Sequence, residues 1–141
     1  MIGILAATAV WASAAAPGAV YFPNPDPKLP FSSAVQVGDV LYLSGALASD
    51  DKGGVIAGGL PAETRAVMDG IGVTLKAHGL SYDDVFKCTV MLSDMSQWGA
   101  FNSIYVTYFK PDRLPARSAF GAAALARGAH LELECWARVK P

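Results

Sequence analysis

The chain has 141 residues, of which 52% are hydrophobic and 16% charged, which excludes an intrinsically disordered protein and fits one domain with its own core. The formal net charge is −1 and no segment concentrates Lys and Arg, so binding driven by electrostatic attraction to nucleic acid or anionic lipid is not expected. The expected partners are therefore small molecules or other proteins.

The apolar N-terminus predicts export. Residues 2–11 form an apolar run too short to span a bilayer as a helix, and residues 12–16 supply small side chains at the A-x-A spacing of a cleavage site. Because no Lys or Arg precedes the run, the alternative is an apolar extension that packs on the domain. We expect a signal peptide within residues 1–20 and a domain over residues 21–141. The protein would then be periplasmic or secreted and free of the membrane after cleavage, or cytoplasmic without a signal.

The start of the domain predicts an arm, a hairpin and a loop. Residues 21–30 contain four prolines, which exclude a regular element. Residues 32–37 and 40–44 alternate around a Gly-Asp pair suited to a two-residue hairpin turn. Residues 45–59 are rich in Gly, Asp and Ser and form a loop.

Two amphipathic helices follow, with a strand between them. Pro61 begins the first helix and Gly79 ends it, and its buried face comprises Thr64, Met68, Ile71 and Leu75. Residues 85–92 predict a strand nearly buried on both faces. Asp94 or Ser93 caps the second helix. An aromatic stripe marks its core face: Trp98, Phe101, Tyr105, Tyr108 and Phe109.

Two further strands, residues 117–120 and 131–139, complete the pattern. In the last strand, the polar-face residues are Glu132, Glu134, Trp136 and Arg138. The order hairpin, helix, strand, helix, strand, strand predicts a single-domain α+β fold with one mixed sheet and two helices packed on one face.

The two cysteines, Cys88 and Cys135, each lie within a predicted strand. They could pair in an oxidising compartment. Their spacing is not that of a metal site and buried free cysteine is common, so the pattern favours two inert core thiols.

An ordered set of motifs carries a family resemblance. Residues 114–118, Leu-Pro-Ala-Arg-Ser, resemble the P-A-R-S signature of the Rid (reactive intermediate deaminase, YjgF-type) family. The other landmarks are Leu43-Ser44-Gly45, Glu63-Thr64-Arg65, residues 87–94, Asn102 with Tyr105 and Phe109, and residues 131–134. The likeness covers about residues 30–139.

The resemblance implies a chorismate-mutase-like fold and a homotrimer with three ligand sites in the clefts between subunits. It also implies hydrolysis of reactive 2-imino and 2-enamino acids to 2-keto acids and ammonia, without a metal or organic cofactor.

Two residues match the family's reactive groups. Arg117 matches the arginine that binds the substrate carboxylate, for which the planar guanidinium offers two parallel charge-assisted bonds. The alternative is a structural salt bridge, for example to Glu134. Glu132 matches the acid that orients the attacking water, and the alternative is a solvated residue on the polar face of the last strand.

Five further residues match positions that line the family's site. Asn102 is a candidate hydrogen-bonding wall residue, or else a helix-surface amide. Ser44 and Gly45 bring backbone close to the ligand, or else form an ordinary strand-end turn. Ala119 offers its backbone carbonyl to a substrate nitrogen. Phe31 stands where many active members carry a tyrosine, and Ala119 where many carry a cysteine, so the cleft lacks a hydroxyl and a thiol.

Three hypotheses for function follow: an imino-acid deaminase, a non-catalytic trimer that binds small carboxylates or other metabolites, and an interaction protein with chaperone-like behaviour. The departures at Phe31 and Ala119 motivate the second, and only the apolar composition motivates the third. His78 and His130 have no carboxylate or second histidine at metal-ligand spacing, so we interpret both as structural or exposed.

Overall fold

The structure is a computed structural model that describes residues 18–50 and 52–139. Most of the predicted export signal, residues 1–17, lies outside this range. The strands and helices, in chain order, are β1 (Val20–Phe22), β2 (Ala34–Val37), β3 (Val40–Leu43), α1 (Gly59–Ala77), β4 (Val85–Leu92), α2 (Trp98–Tyr105), β5 (Ala116–Gly121) and β6 (Leu131–Arg138). Neither helix in the described ranges combines the length and hydrophobicity that crossing a membrane requires.

The strands form one mixed sheet in the order β1-β2-β3-β6-β4-β5. Neighbouring strands run antiparallel except β4 and β5, which are parallel and are therefore joined by a crossover that contains α2. Strand β5 lies at the edge of the sheet. The predicted hairpin corresponds to β2 and β3, and Gly38 in its turn has the positive φ (60°) that favours glycine.

The core lies between the two helices and one face of the sheet. Alternate residues of the central strands point into it, and they are buried together with one face of each helix. The largest of these side chains are Leu41, Leu131, Leu133, Met68, Leu75 and Phe101. The helix spacing and the strict alternation predicted for residues 131–139 are confirmed.

The opposite face of the sheet carries no helix of the described chain. Tyr42 and Trp136 meet edge to face on it, with ring centroids 4.9 Å apart. Phe86 and Phe120 are 43% and 50% exposed. In β4 the residues alternate between buried and half-buried or exposed, so the prediction of a strand nearly buried on both faces is wrong for the single chain.

Strand β1 corrects the prediction that residues 21–30 contain no regular element. Tyr21 and Phe22 pair with Val35 and Ala34 of β2. The prolines begin only at Pro23, so the two residues before it keep the backbone N–H groups that a ladder requires.

The prediction of two free thiols is also wrong, because Cys88 and Cys135 form a disulfide. The two residues are directly opposite in the antiparallel ladder of β4 and β6, with Cα atoms 4.1 Å apart. Both side chains point into the core, where they are at most 1% exposed. The spacing in sequence does not reveal this cross-strand register.

Candidate active site

The guanidinium of Arg117 packs on three aromatic rings of α2. The guanidinium carbon lies 4.5 Å from the ring centroid of Trp98, 4.6 Å from that of Tyr105 and 5.7 Å from that of Phe101. Each distance falls within the range of a cation–π interaction, which contributes about 0.5–2 kcal/mol depending on solvation. The stripe, predicted as core alone, therefore also holds a cation at the sheet edge.

Arg117 forms no ion pair with any residue in the described part of the chain. The expected structural alternative, Glu134, lies on the other face of the sheet, where it accepts a hydrogen bond of 2.7 Å from Trp136 Nε1. Arg117 is only half-buried. Its guanidinium is therefore oriented by aromatic rings, and its charge is available to an anion that approaches the edge of the sheet.

Two buried polar atoms lie on the same helix. The Oδ1 atom of Asn102 and the Oη atom of Tyr105 have no hydrogen-bond partner of regular geometry among the described residues. Burial raises the pKa of Tyr105 to about 12, and the nearby charge of Arg117 opposes part of that rise. The Tyr105 hydroxyl is close enough to Arg117 for a hydrogen bond to offset part of this rise, so Oδ1 of Asn102 is the atom left without a partner. A buried polar atom without a partner costs about 1–3 kcal/mol, which favours a bound polar ligand at Asn102.

Glu132 rests against the backbone of Gly45. A Cβ atom built on Gly45 would lie 2.2 Å from Oε1 of Glu132, so a side chain at this position would displace the carboxylate. The Ser44 side chain has a different role. Its Oγ donates a 2.6 Å hydrogen bond to the backbone oxygen of Ser32, which links the residue after β3 to the segment before β2. The backbone of Gly45 therefore lies against Glu132, the Ser44 hydroxyl is hydrogen-bonded within the fold, and the approach of this backbone to a ligand stays a prediction.

A cavity of about 520 Å³ adjoins this glycine. Phe31, which is 48% exposed, and Gly45 both line it, as does Arg127. Its size lies in the range of small-molecule sites, about 300–1,000 Å³. The predicted site residues Phe31, Gly45 and Glu132 therefore come together on one side of the molecule.

Arg117 and Glu132 do not meet within one chain. Cys88 pairs with Arg117 across β4 and β5 and with Cys135 across β4 and β6. Paired residues point to the same sheet face, so Arg117 shares the helix-covered face with the disulfide, and Ala119, two residues on, does the same. Glu132 is an odd number of residues from Cys135 and points to the opposite face. The chain thus places the two predicted reactive groups on opposite faces of the sheet.

A buried carboxylate, which the sequence offered only as part of a helix landmark, holds the start of β6 in place. Glu63 of α1 is fully buried, accepts a 2.8 Å hydrogen bond from the backbone N–H of His130, and lies 2.5 Å from Nδ1 of the same residue. His130, predicted as structural or exposed, is therefore both: its side chain is 46% exposed, and it has a carboxylate partner. These contacts hold the backbone at His130, two residues before Glu132, in place.

The other histidine packs against an aromatic ring. His78 meets Phe22 with ring centroids 4.3 Å apart. Within residues 18–50 and 52–139, no three His, Cys, Asp or Glu residues are placed to hold a metal ion together.

Comparison with known proteins identifies the family of this chain. The sequence model described as Endoribonuclease L-PSP matches residues 23–139. The chain belongs to this family, which is the Rid (YjgF) family. The mouse protein named 2-iminobutanoate/2-iminopropanoate deaminase is 42% identical over 106 residues, which cover 74% of this chain and 78% of the mouse protein. The human protein of the same name is 36% identical over 126 residues, which cover 89% of this chain and 85% of the human protein.

The fold of the Rid family is also found among solved structures. The structure of the yeast protein YEO7 superposes with a TM-score of 0.78 at 28% identity, and the match covers 87% of this chain and 100% of that one. The expected α+β fold, with one mixed sheet and two helices on one face, is confirmed, and it is consistent with the chorismate-mutase-like architecture.

Proposed function

We propose that this Rid-family protein hydrolyses 2-imino acids and the tautomeric 2-enamino acids to 2-keto acids and ammonia. The observation that carries the proposal is the half-buried guanidinium of Arg117, held on three aromatic rings with no acidic partner in the described chain. The names of the mouse and human relatives, both 2-iminobutanoate/2-iminopropanoate deaminase, support the same substrate class.

The reaction demands little beyond positioning. The protonated imine is already electrophilic at C2, so water adds there and gives one proton to Glu132. The remaining hydroxyl proton passes to nitrogen, the C–N bond breaks as the C2=O bond forms, and nitrogen leaves as ammonia. Arg117 binds the carboxylate through up to two charge-assisted hydrogen bonds, each contributing about 1.5–3 kcal/mol. Asn102 adds a neutral polar contact, and the backbone carbonyl of Ala119 accepts from the substrate nitrogen. Glu132 orients the water and accepts its proton.

Arg117 and Glu132 can act on the same substrate only if they come from two neighbouring chains. Because Arg117 and Glu132 point to opposite sheet faces, one subunit supplies the arginine and the next supplies the acid. A homotrimer with its sites between subunits satisfies this geometry. The uncovered sheet face, with Phe86, Phe120, Tyr42 and Trp136, offers the apolar surface for such contacts.

Export is part of the proposal. A disulfide forms and persists in oxidising compartments, so the bond between Cys88 and Cys135 supports a periplasmic or secreted location. The apolar run of residues 2–11 would then be a cleaved signal peptide.

A second candidate function is binding without turnover. Phe31 lines the cavity without a hydroxyl, and Ala119 carries no thiol. A trimer with these residues would hold pyruvate, 2-oxobutanoate or benzoate through Arg117 and leave an imine unchanged.

The decisive experiment traps 2-iminopropanoate, generated by an L-amino-acid oxidase, with semicarbazide. We expect the protein to accelerate loss of the imine, and Arg117→Ala to lower kcat/KM by about 100-fold or more, the equivalent of two charged hydrogen bonds. Arg117→Lys keeps the charge but not the planar fork and should be intermediate. Arg138→Ala, an exposed arginine near Asp39, is the matched control. Stabilisation by small carboxylates without turnover would favour the binding protein.

Complementation tests the composite site. Arg117→Ala and Glu132→Ala chains, each with strongly reduced activity alone, are coexpressed with different tags. In trimers of random composition, each site between subunits has about a one-in-four chance of an intact arginine and an intact acid. Recovery near a quarter of wild-type activity supports shared sites, whereas no recovery would place both groups in one chain.

A further inference from the structure

Arg127 lines the same cavity as Phe31 and Gly45. It is the only Lys, Arg or His among the described residues that line this cavity, and it lies outside the motifs that carried the family resemblance. The carboxylate of Glu132 rests against Gly45, so the cavity adjoins the group that orients water under the proposed function.

The backbone of Arg127 is held in an unusual conformation. Its φ is +61°, and among the described residues it is the only residue other than glycine with a positive φ. Such a conformation costs energy for a side chain of this size and often accompanies a functional site. The following Gly128 also has positive φ, so the chain turns here and projects the arginine over the loop that contains Ser49.

The guanidinium of Arg127 is held but not neutralised. Its Nη1 donates a 3.0 Å hydrogen bond to Oγ of Ser49, which also lines the cavity. No carboxylate of the described residues lies within ion-pair distance of it. Asp26 lines the cavity too, but its Oδ1 accepts a 3.0 Å hydrogen bond from the backbone N–H of Lys28, and it forms no salt bridge with Arg127.

From this arrangement we infer that Arg127 binds a second carboxylate, so that the cavity takes 2-imino acids derived from dicarboxylic amino acids. This inference rests on the proposed function. The substrate's first carboxylate binds Arg117 of the neighbouring subunit, and its distal carboxylate extends into the cavity to Arg127. Water still adds at C2, nitrogen still leaves as ammonia, and the distal carboxylate is unchanged. The cavity is much larger than a three-carbon imine needs, which agrees with a longer substrate.

The test compares 2-iminoglutarate with 2-iminopropanoate in the semicarbazide assay. Arg127→Asn is the first variant, because asparagine tolerates a positive φ and carries no charge. We expect kcat/KM for 2-iminoglutarate to fall by about 10- to 100-fold, the worth of a charged hydrogen bond, and kcat/KM for 2-iminopropanoate to change by less than about 2-fold. Arg127→Gly, which also relieves the strained φ, should behave in the same way, and Arg138→Gln is the surface control.

The carboxylate of Asp26, which also lines the cavity, provides a second test. Asp26→Asn removes a negative charge from the cavity wall and should raise kcat/KM for 2-iminoglutarate by about 2- to 5-fold, the size of a screened interaction between partly exposed charges. The inference is overturned if wild-type protein hydrolyses 2-iminopropanoate but not 2-iminoglutarate. An equal loss for both imines in Arg127→Asn would also overturn it, because that pattern indicates a purely structural role.

If neither imine is hydrolysed, the proposed function is wrong, but the second carboxylate site can still be tested by binding. Calorimetric titration then compares the affinities of the wild type and Arg127→Asn for 2-oxoglutarate and for 2-oxobutanoate. Selective weakening of 2-oxoglutarate binding in Arg127→Asn would retain the second-carboxylate site. Equal affinity of wild type and variant for both keto acids would eliminate it.

Discussion

Replacing Gly45 by alanine would place a methyl group where the carboxylate of Glu132 lies. The added Cβ would be 2.2 Å from Oε1, 3.1 Å from Cδ and 3.3 Å from Cγ of Glu132. Ordinary van der Waals contact begins at about 3.5 Å, so the carboxylate must move by about 1 Å. The substitution thus displaces the proposed water-orienting group without removing its charge.

The expected cost falls on catalysis more than on folding. A misplacement of about 1 Å can lower a rate by about 100-fold, so kcat for 2-iminopropanoate should fall by that order while KM, set mainly by Arg117, changes little. The clash involves the flexible end of Glu132, and an off-rotamer side chain costs only about 0.5–1.5 kcal/mol of folding free energy. Thermal unfolding should therefore remain close to that of the wild type.

A double mutant identifies the cause. In a Glu132→Ala background the obstructing carboxylate is gone, so adding Gly45→Ala should have no further effect on kcat or stability. Gly70→Ala is the matched control, because its Cβ would meet nothing within 4 Å, and alanine should stabilise α1 by about 1 kcal/mol. Unchanged kcat in Gly45→Ala, or an equal loss in the Glu132→Ala background, would refute the reasoning.

Three further changes address the supports of the site. Trp98→Ala removes one ring beneath the guanidinium and should raise KM by about 3- to 30-fold, with a smaller effect on kcat. Trp98→Phe keeps a ring at this position and should retain most of the affinity. Equal KM values for the wild type and Trp98→Ala in steady-state kinetics would contradict this role. Replacing both Cys88 and Cys135 by alanine should lower the free energy of unfolding by about 2–4 kcal/mol in urea titrations, and reduced wild type should match the double variant. Glu63→Leu leaves the backbone N–H of His130 without its acceptor and should cost about 2–4 kcal/mol, while Glu63→Gln, which can still accept that bond, should cost less when measured the same way.

Apart from β1, the strands and helices of this fold were predictable because their signals are local. Pro61 places the start of α1 within two residues of its observed start, the i, i+4, i+7 spacing from Thr64 gives its buried face, and the alternation from Leu131 gives both faces of β6. The signals for β5 are weak, because Arg117 lies between Ala116 and Ser118, two small side chains that favour neither face. The sequence therefore predicted Arg117 as a site residue but not that it faces away from Glu132.

What the sequence could not reveal depends on register between distant segments. The disulfide requires β4 and β6 to be neighbours with Cys88 opposite Cys135, a pairing across 47 residues. The cavity requires the loops around Ser49 and Arg127 to meet, and nothing in either loop predicts the other. A positive φ at Arg127 has only one local signal, the glycine that follows it.

The departures at Phe31 and Ala119 bear on rate more than on reaction type. Hydrolysis of a protonated imine needs a held carboxylate and a placed water, and neither function belongs to a tyrosine hydroxyl or a cysteine thiol. Under the proposed function, Arg117 and the rings beneath it hold the carboxylate, and Glu132 against Gly45 holds the water. This chain has both of these groups. Under the proposed function, a phenylalanine at the cavity wall provides no hydroxyl contact near the substrate side chain, so its effect should differ among substrates, and Arg127 is then the one cationic group among the described lining residues that a longer, dicarboxylic substrate could reach.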